Sequence, residues 1–388
     1  MQKGNAAYIK NMNKEMILQC VIDEQSTSRA MIAKKLNLSK PTVSALVNQL
    51  IEEDWIHEMG NGESSTTGGR KPVNLKFNPK KAYVIGIDIG GTKVASGITD
   101  LNGEICSYRV FSTQEHMKQD RLFEKIRDQI EEMKAELDID DKLILGMGVG
   151  IPGVTNVETG IVHEAPALKW KRFPVRQKLS EIFPYPIFVD NDVNISVLGE
   201  HWKGVGKKKN NLIYIAIGTG IGSGIMINGE LYRGSNYGAG EIGYMVTDRE
   251  YANSYHPVYD GYGFLESVAG GTSIGDAMTS RLGKEITAKE AFELYRAKHP
   301  IAIEVIDAAI ENLSLGIANY ISLLDPEIVI LGGGVSEAYS LIEQKMKHII
   351  ERFTPRNCDV VRTTFGREAG VIGAVALFLK EYDSIFNI

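Results

Sequence analysis

Apolar positions in the first eighty residues recur with helical spacing, broken by short polar stretches. Met16, Ile17, Cys20 and Val21 fall on one face of a helix over residues 11–21. Ser26, Thr27 and Ser28 are candidate caps for a second helix, Arg29–Lys35. After the short turn Leu36-Asn37-Leu38, Ser39 caps a third helix over residues 40–50. Pro41 suits its first turn, where an amide has no intrahelical partner. Val43, Leu46, Val47 and Leu50 form the apolar face, leaving Lys40, Thr42, Ser44 and Asn48 outside. Residues 55–58 and 73–77 then alternate like strands around a polar, Gly-rich tip ending Gly68-Gly69-Arg70-Lys71. Two short helices joined by a tight turn have the helix-turn-helix pattern; a three-helix accessory domain with an exposed polar face is the plainer reading, and the hairpin with its Gly-Gly-Arg-Lys tip favours a winged helix-turn-helix over it.

Beyond residue 81 the pattern changes to buried strands broken by glycine. Residues 82–88 read as a strand, Ile89-Gly90-Gly91-Thr92-Lys93 as a hairpin, residues 94–99 as a strand and Asn102-Gly103-Glu104 as a turn. The same order returns at residues 212–217, at Gly218-Thr219-Gly220-Ile221-Gly222, at residues 225–227 and at Asn228-Gly229-Glu230. An internal duplication of this kind predicts two similar lobes facing each other across a cleft.

Composition narrows the class. Hydrophobic residues are 43% and charged residues 24%, the balance of a soluble globular chain. No apolar run reaches bilayer length, and Lys10, Asn11 and Lys14 interrupt any secretory core. A cytoplasmic protein without membrane contact is expected. Cys20, Cys106 and Cys358 are scattered, without CxxC spacing, so neither a disulfide framework nor a cysteine-rich metal site is expected. Net charge is −6, unevenly spread: residues 1–80 hold 11 Lys/Arg against 8 Asp/Glu, and the remainder 32 against 41. A mildly basic head on an acidic body suits one DNA-binding module attached to a larger domain.

The candidate chemistry follows from these segments. In the head, Arg29, Ser39, Lys40, Pro41, Thr42, Ser44 and Asn48 stand at the turn and on the outer face of the third helix. There, short polar and basic side chains reach phosphates and base edges. Gly69, Arg70 and Lys71 at the wing tip suit a narrow minor groove, because little bulk holds the backbone away. In the body, Asp88, Gly90, Gly91, Thr92 and Lys93, with Gly218, Thr219 and Gly220, have the composition of loops whose bare amides cradle phosphate. Each hairpin alone is equally a tight β-turn. A third glycine run, Gly332-Gly333-Gly334, follows a strand.

These motifs together resemble the ROK family (repressors, open reading frames and kinases) along essentially the whole chain. The string Ser28-Arg29-Ala30, Leu38-Ser39, Thr42-Val43-Ser44 and Gly68-Gly69-Arg70 resembles its repressor branch, above all the xylose repressors of Gram-positive bacteria. Asp88–Lys93 and Gly218–Gly222 resemble its two phosphate loops. The resemblance implies an α/β fold with an all-α/winged head: a winged helix-turn-helix (1–80), then a two-lobed actin-like, sugar-kinase-like domain (81–200 and 201–388). It implies that Asn191, Asp192, Glu241, Tyr244 and Glu266 hold a sugar, with Asp192 the general base if the chain is kinase-active. Helix capping remains an equal reading of Asp190-Asn191-Asp192.

Departures from the family matter as much. Tyr244 stands where many members have a His, Ala167 where an Asn is common, and no cysteine lies between Cys106 and Cys358. Structural zinc needs four Cys/His ligands, so zinc is expected to be absent, with Tyr251, Tyr255, Tyr259 and Tyr262 packing that loop instead. The function implied is a sugar-responsive repressor that binds an inverted-repeat operator in double-stranded DNA as a homodimer or larger homo-oligomer. It would be released by a sugar effector, xylose by resemblance, and require no cofactor. The alternative is an ATP-dependent sugar kinase with a DNA-binding head.

Overall fold

Three helices and a hairpin form the head: α1 (Ala6–Glu24), α2 (Arg29–Lys35), α3 (Lys40–Glu52), β1 (Ile56–Asn61) and β2 (Val73–Phe77). The computed structural model describes residues 6–61, 73–117, 121–249, 255–256, 261–262 and 265–382. Ser28 and Ser39 cap α2 and α3, accepting from the Met31 and Thr42 amides, and Pro41 lies in the first turn of α3. Val43, Leu46, Val47 and Leu50 are buried, as the spacing predicts. The first helix starts earlier than its apolar stripe predicts, because Ala6, Ala7 and Lys10 are good helix formers. β1 pairs antiparallel with β2, Ile56 opposite Phe77, and Thr27 bridges Leu75 at the hairpin edge. The wing tip, with Gly69, Arg70 and Lys71, lies outside the described residues.

The body begins with β3 (Tyr83–Ile89), β4 (Lys93–Asp100) and β5 (Ile105–Ser112). After α4 (Thr113–Met117) and α5 (Leu122–Leu137) comes β6 (Ile144–Ile151). A small antiparallel sheet of β7 (Val154–Asn156), β8 (Ile161–Ala165) and β9 (Trp170–Phe173) covers one end. Then follow α6 (Val175–Ser180), β10 (Ile187–Asn191) and α7 (Asp192–Lys203). The first main sheet runs β10-β6-β3-β4-β5.

The second lobe opens with β11 (Leu212–Ile217), β12 (Ile221–Ile227) and β13 (Glu230–Leu231). A short hairpin, β14 (Tyr255–His256) and β15 (Gly261–Tyr262), precedes four helices: α8 (Glu266–Ala269), α9 (Gly271–Leu282), α10 (Ala288–Arg296) and α11 (Pro300–Leu324). The chain ends β16 (Ile328–Gly332), α12 (Tyr339–Phe353), β17 (Asp359–Arg362) and α13 (Ala369–Tyr382). The second main sheet runs β13-β12-β11-β16-β17. Read from β5 and from β13, the two sheets have the same order and the same mix of antiparallel and parallel pairs. The duplicated pattern in the sequence is thus a duplicated sheet.

The final helix returns to the first lobe. Glycines on three adjacent strands let it lie close: a Cβ at Gly86 or Gly97 would strike Val371, and one at Gly148 would strike the Ala374 backbone. Gly199 of α7 and Gly373 of α13 meet in the same way at the helix crossing. Val375, Phe378 and Leu379 of α13 join Val84 and Leu101 in one continuous apolar cluster with Ile17, Val21, Leu50 and Leu75 of the head. Head and body therefore share a core. Among the described residues no helix is long and apolar enough to cross a membrane.

Candidate functional site

In the head, Lys40, Pro41, Ala45 and Asn48 are exposed on one face of α3, while Thr42 and Ser44 are half-buried. The Ser39 hydroxyl is spent on the cap: it accepts from Thr42 N at 3.2 Å and meets Thr42 Oγ1 at 2.8 Å. Arg29 is held rather than free. Its Nη2 donates to Asn48 Oδ1 at 2.8 Å and its Nη1 to Glu58 Oε1 at 2.7 Å. The guanidinium thus ties α2 to both α3 and the wing. Ala45 carries no polar signal in the sequence, yet it is exposed on the same face as Pro41 and Asn48.

In the body, the two glycine hairpins stand at the ends of equivalent strand pairs. Gly90 N donates to Lys93 O, and Gly218 N to Gly220 O, each at 2.9 Å. Thr113 Oγ1 donates to Gly90 O at 2.7 Å, and Thr272 N to Thr219 O at 3.1 Å. Gly91 lets the loop at Ala167 approach, since a Cβ there would lie 2.8 Å from that of Ala167. Thr92 and Thr219 are exposed at the two tips.

Between the lobes lies a cavity of about 300 Å³, lined among others by Asp88, Lys93, Asp192, Gly333, Arg362 and Arg367. Burial pushes the Asp88 carboxyl up to about 7; the charge of Asp192 adds to this and Lys93 opposes it. Burial likewise pushes Asp192 up to about 6, against the hydrogen bond from Val193 N at 3.0 Å. Glu241 is raised by burial, then by Asp192 and Glu266. Glu266 is raised by burial although it accepts from Ile221 N at 2.8 Å. Gly220 and Gly243 make room for it, because a Cβ at either would press on its carboxyl group. The Tyr244 phenol is raised by burial and then by Glu241 and Glu266. Asp192, Glu241, Glu266 and Tyr244 are therefore brought together. Carboxylates set close to one another repel, and a polyol offers hydroxyl donors that they can accept from.

Asn191 caps the helix that follows it, as one of the two readings of this segment allows. Its Oδ1 caps α7, accepting from Val193 N and Asn194 N at 2.8 and 3.1 Å, and its Nδ2 donates to Gly153 O at 3.0 Å. It shapes the corner that presents Asp192.

Three sets of interactions were not legible in the sequence. Asp190 is buried and paired with Arg233, Nε to Oδ2 at 2.8 Å. Glu200 is buried and accepts from Thr364 N at 2.8 Å and Val205 N at 3.0 Å, as well as from the Thr363 hydroxyl. Arg362 and Arg367 bring positive charge to the cavity. Sequence offered one signal: Arg233 is the sole Lys or Arg between Lys209 and Arg249. Among the described residues no cluster of His, Cys, Asp and Glu is placed to hold a metal. The side chains of Tyr251, Tyr255, Tyr259 and Tyr262 lie outside what is described.

Comparison with known proteins bears on this geometry. The pattern that defines a winged helix-turn-helix DNA-binding domain matches residues 13–57. The xylose repressor of Caldicellulosiruptor bescii is 30% identical over 401 residues, covering 97% of this chain and 98% of that protein. The glucokinase of Halalkalibacterium halodurans is 32% identical over 322 residues, 78% of this chain and 97% of that one. A solved ROK family transcriptional regulator, described as a homolog of the E. coli MLC protein, superimposes with a TM-score of 0.79 at 23% identity, covering 95% of this chain and 96% of its own, and speaks to the fold alone. The pattern of the ROK family itself matches residues 84–381, and with a winged helix-turn-helix ahead of that domain the chain belongs to the ROK family.

Proposed function

We propose that this chain is a sugar-responsive transcriptional repressor. The observation that carries the reading is the core shared by the head and the first lobe, in a chain that also sets Glu241 within electrostatic reach of Asp192, Glu266 and Tyr244. A sugar needs only different affinities for two lobe arrangements to move the head. A homodimer reading two half-sites is sensitive to small reorientations, because the recognition helices must keep one helical phase. The operator is then an inverted repeat, read by Lys40, Pro41, Thr42, Ser44 and Asn48 in the major groove. Ser39 and Arg29 position α3, and Gly69, Arg70 and Lys71 take the minor groove. Xylose is the proposed inducer, on the strength of the xylose repressor relatives. The test is binding to an inverted repeat selected from random duplexes, titrated with xylose, glucose and ATP. Release by xylose alone supports the reading. Operator binding that no sugar changes refutes it.

A second reading, an ATP-dependent sugar kinase with a DNA-binding head, is favoured by one observation: Asp192 shares the cavity with Lys93, Arg362 and Arg367 beside the glycine hairpins. A carboxylate raised to about 6 is suited to take a hydroxyl proton near neutral pH. ATP consumption that requires xylose or glucose and is lost in Asp192→Asn would establish it. Without turnover, Asp88, Gly90, Gly91, Thr92, Lys93, Gly218, Thr219 and Gly220 serve as a structural remnant of the phosphate site.

A further inference from the structure

Arg233 stands where three parts of the molecule meet. Its Nε donates to Asp190 Oδ2 at 2.8 Å, and its Nη2 to Glu381 Oε1 at 3.4 Å. Asp190 is 1% exposed. Its other oxygen accepts from Asn191 N at 2.7 Å and Asn194 Nδ2 at 2.9 Å. Arg233 supplies the positive charge that keeps this buried carboxylate tolerable. Asp190 is the penultimate residue of β10, two residues before Asp192, so the pair grips the first-lobe half of the cleft. The carbonyl of Arg233 accepts from Ala239 N at 3.1 Å, closing the loop that delivers Glu241 from the second lobe. Glu381 lies on α13, whose neighbouring Lys380 pairs with Glu230 at 3.0 Å. The same helix joins the apolar cluster of the head.

We propose that Arg233 is the positioning residue that couples sugar occupancy to the DNA-binding head. The inference rests on the sugar-repressor reading above. A sugar bridging Asp192 and Glu241 changes the spacing of the two segments that Arg233 pins together. Close-packed cores and buried ion pairs deform poorly, so the displacement passes along the guanidinium to the end of α13 and on to the shared cluster. Coupling of this kind needs a physical link that both sites bias, and Arg233 is such a link.

The test uses the full chain and three variants: R233Q, the charge-compensated pair D190N/R233Q, and E381A at the more exposed arm. Operator affinity is measured with and without saturating D-xylose and, separately, D-glucose. Sugar affinity is measured by calorimetry on the free and the operator-bound protein. In the wild type an inducing sugar weakens operator binding by about 5–150-fold, the ordinary span of allosteric coupling, and the operator weakens sugar binding by the same factor. In D190N/R233Q both factors shrink to within about twofold of unity while sugar still binds the free protein, and E381A falls between. A purely structural role would lower stability and leave the ratio alone. Wild-type ratios in D190N/R233Q and E381A overturn the proposal, as does loss of all sugar binding in D190N/R233Q, which would make Arg233 part of the binding site. If R233Q does not fold, the other two variants decide. No sugar response in the wild type itself refutes the repressor reading instead.

Discussion

Gly148→Ala tests how α13 is seated. Gly148 lies in β6 beneath that helix, and an added Cβ would stand 2.6 Å from the carbonyl carbon of Ala374 and nearer still to its oxygen. Carbon atoms in contact ordinarily sit about 3.5–4.0 Å apart, so the helix must retreat by more than about 1 Å, the nearer oxygen setting the distance. The obstacle is backbone, which cannot rotate aside as a long side chain would. Overpacking of this kind costs about 1–3 kcal/mol. The upper end is expected here, because Gly86 and Gly97 anchor the same helix on neighbouring strands and the lift also loosens Val371, Val375 and Phe378. The control is Gly366→Ala, where a Cβ meets nothing within 4 Å. Urea unfolding gives the midpoints: G148A is expected to fall by an amount equivalent to about 3 kcal/mol, and G366A to stay at or slightly above the wild type. Equal midpoints for the two variants would refute the account of how the helix is seated.

Other expectations follow from the same geometry. Asp192 is raised to about 6 in the folded protein from an ordinary value of 3.8. The folded state therefore keeps a proton that the unfolded state has lost, and stability falls as pH rises from about 4 through 6. Asp192→Asn removes that loss, so its Tm should exceed the wild type at pH 7 by the equivalent of about 1–3 kcal/mol and match it at pH 4; scanning calorimetry of ligand-free protein checks this. Glu200→Ala leaves the Thr364 amide without its acceptor and takes one of two acceptors from the Val205 amide and the Thr363 hydroxyl. A loss of about 3 kcal/mol is expected, with faster hydrogen exchange at residues 363–365. Ser39→Ala removes the cap of α3, costing about 1 kcal/mol and weakening operator binding in a gel-shift titration; unchanged binding would show that the cap does not set the helix.

What the sequence made legible was whatever depends on short range. Ser28, Ser39 and Pro41 mark their helices because caps and first turns are local, and the repeated strand–glycine–strand order became a repeated sheet. Glu241 and Glu266 were visible as carboxylates in Gly-rich or apolar surroundings, and Asp192 as a carboxylate opening a helix after an apolar strand. Long-range pairings were not visible. Asp190 and Arg233 lie 43 residues apart, and no local pattern says that one neutralises the other. The bond from Asn191 to the Gly153 carbonyl spans 38 residues, and only the folded corner brings the two near. Arg29 reads as a free cation until Asn48 and Glu58 are seen around it. The return of α13 to the first lobe is a matter of chain topology, on which periodicity is silent.

The core shared by head and first lobe has a consequence for engineering. β2 ends at Phe77 and β3 begins at Tyr83, and the few residues between carry a hydrogen bond from Leu101 N to Pro79 O at 3.0 Å. No slack tether separates reader from sensor. A chimaera that grafts this head onto a relative's body at residue 80 would cut through the seam and leave Val84, Leu101 and Leu379 facing strangers. To transplant its operator preference, the exposed face of α3 must be exchanged alone, or the head moved together with the seam residues of α13.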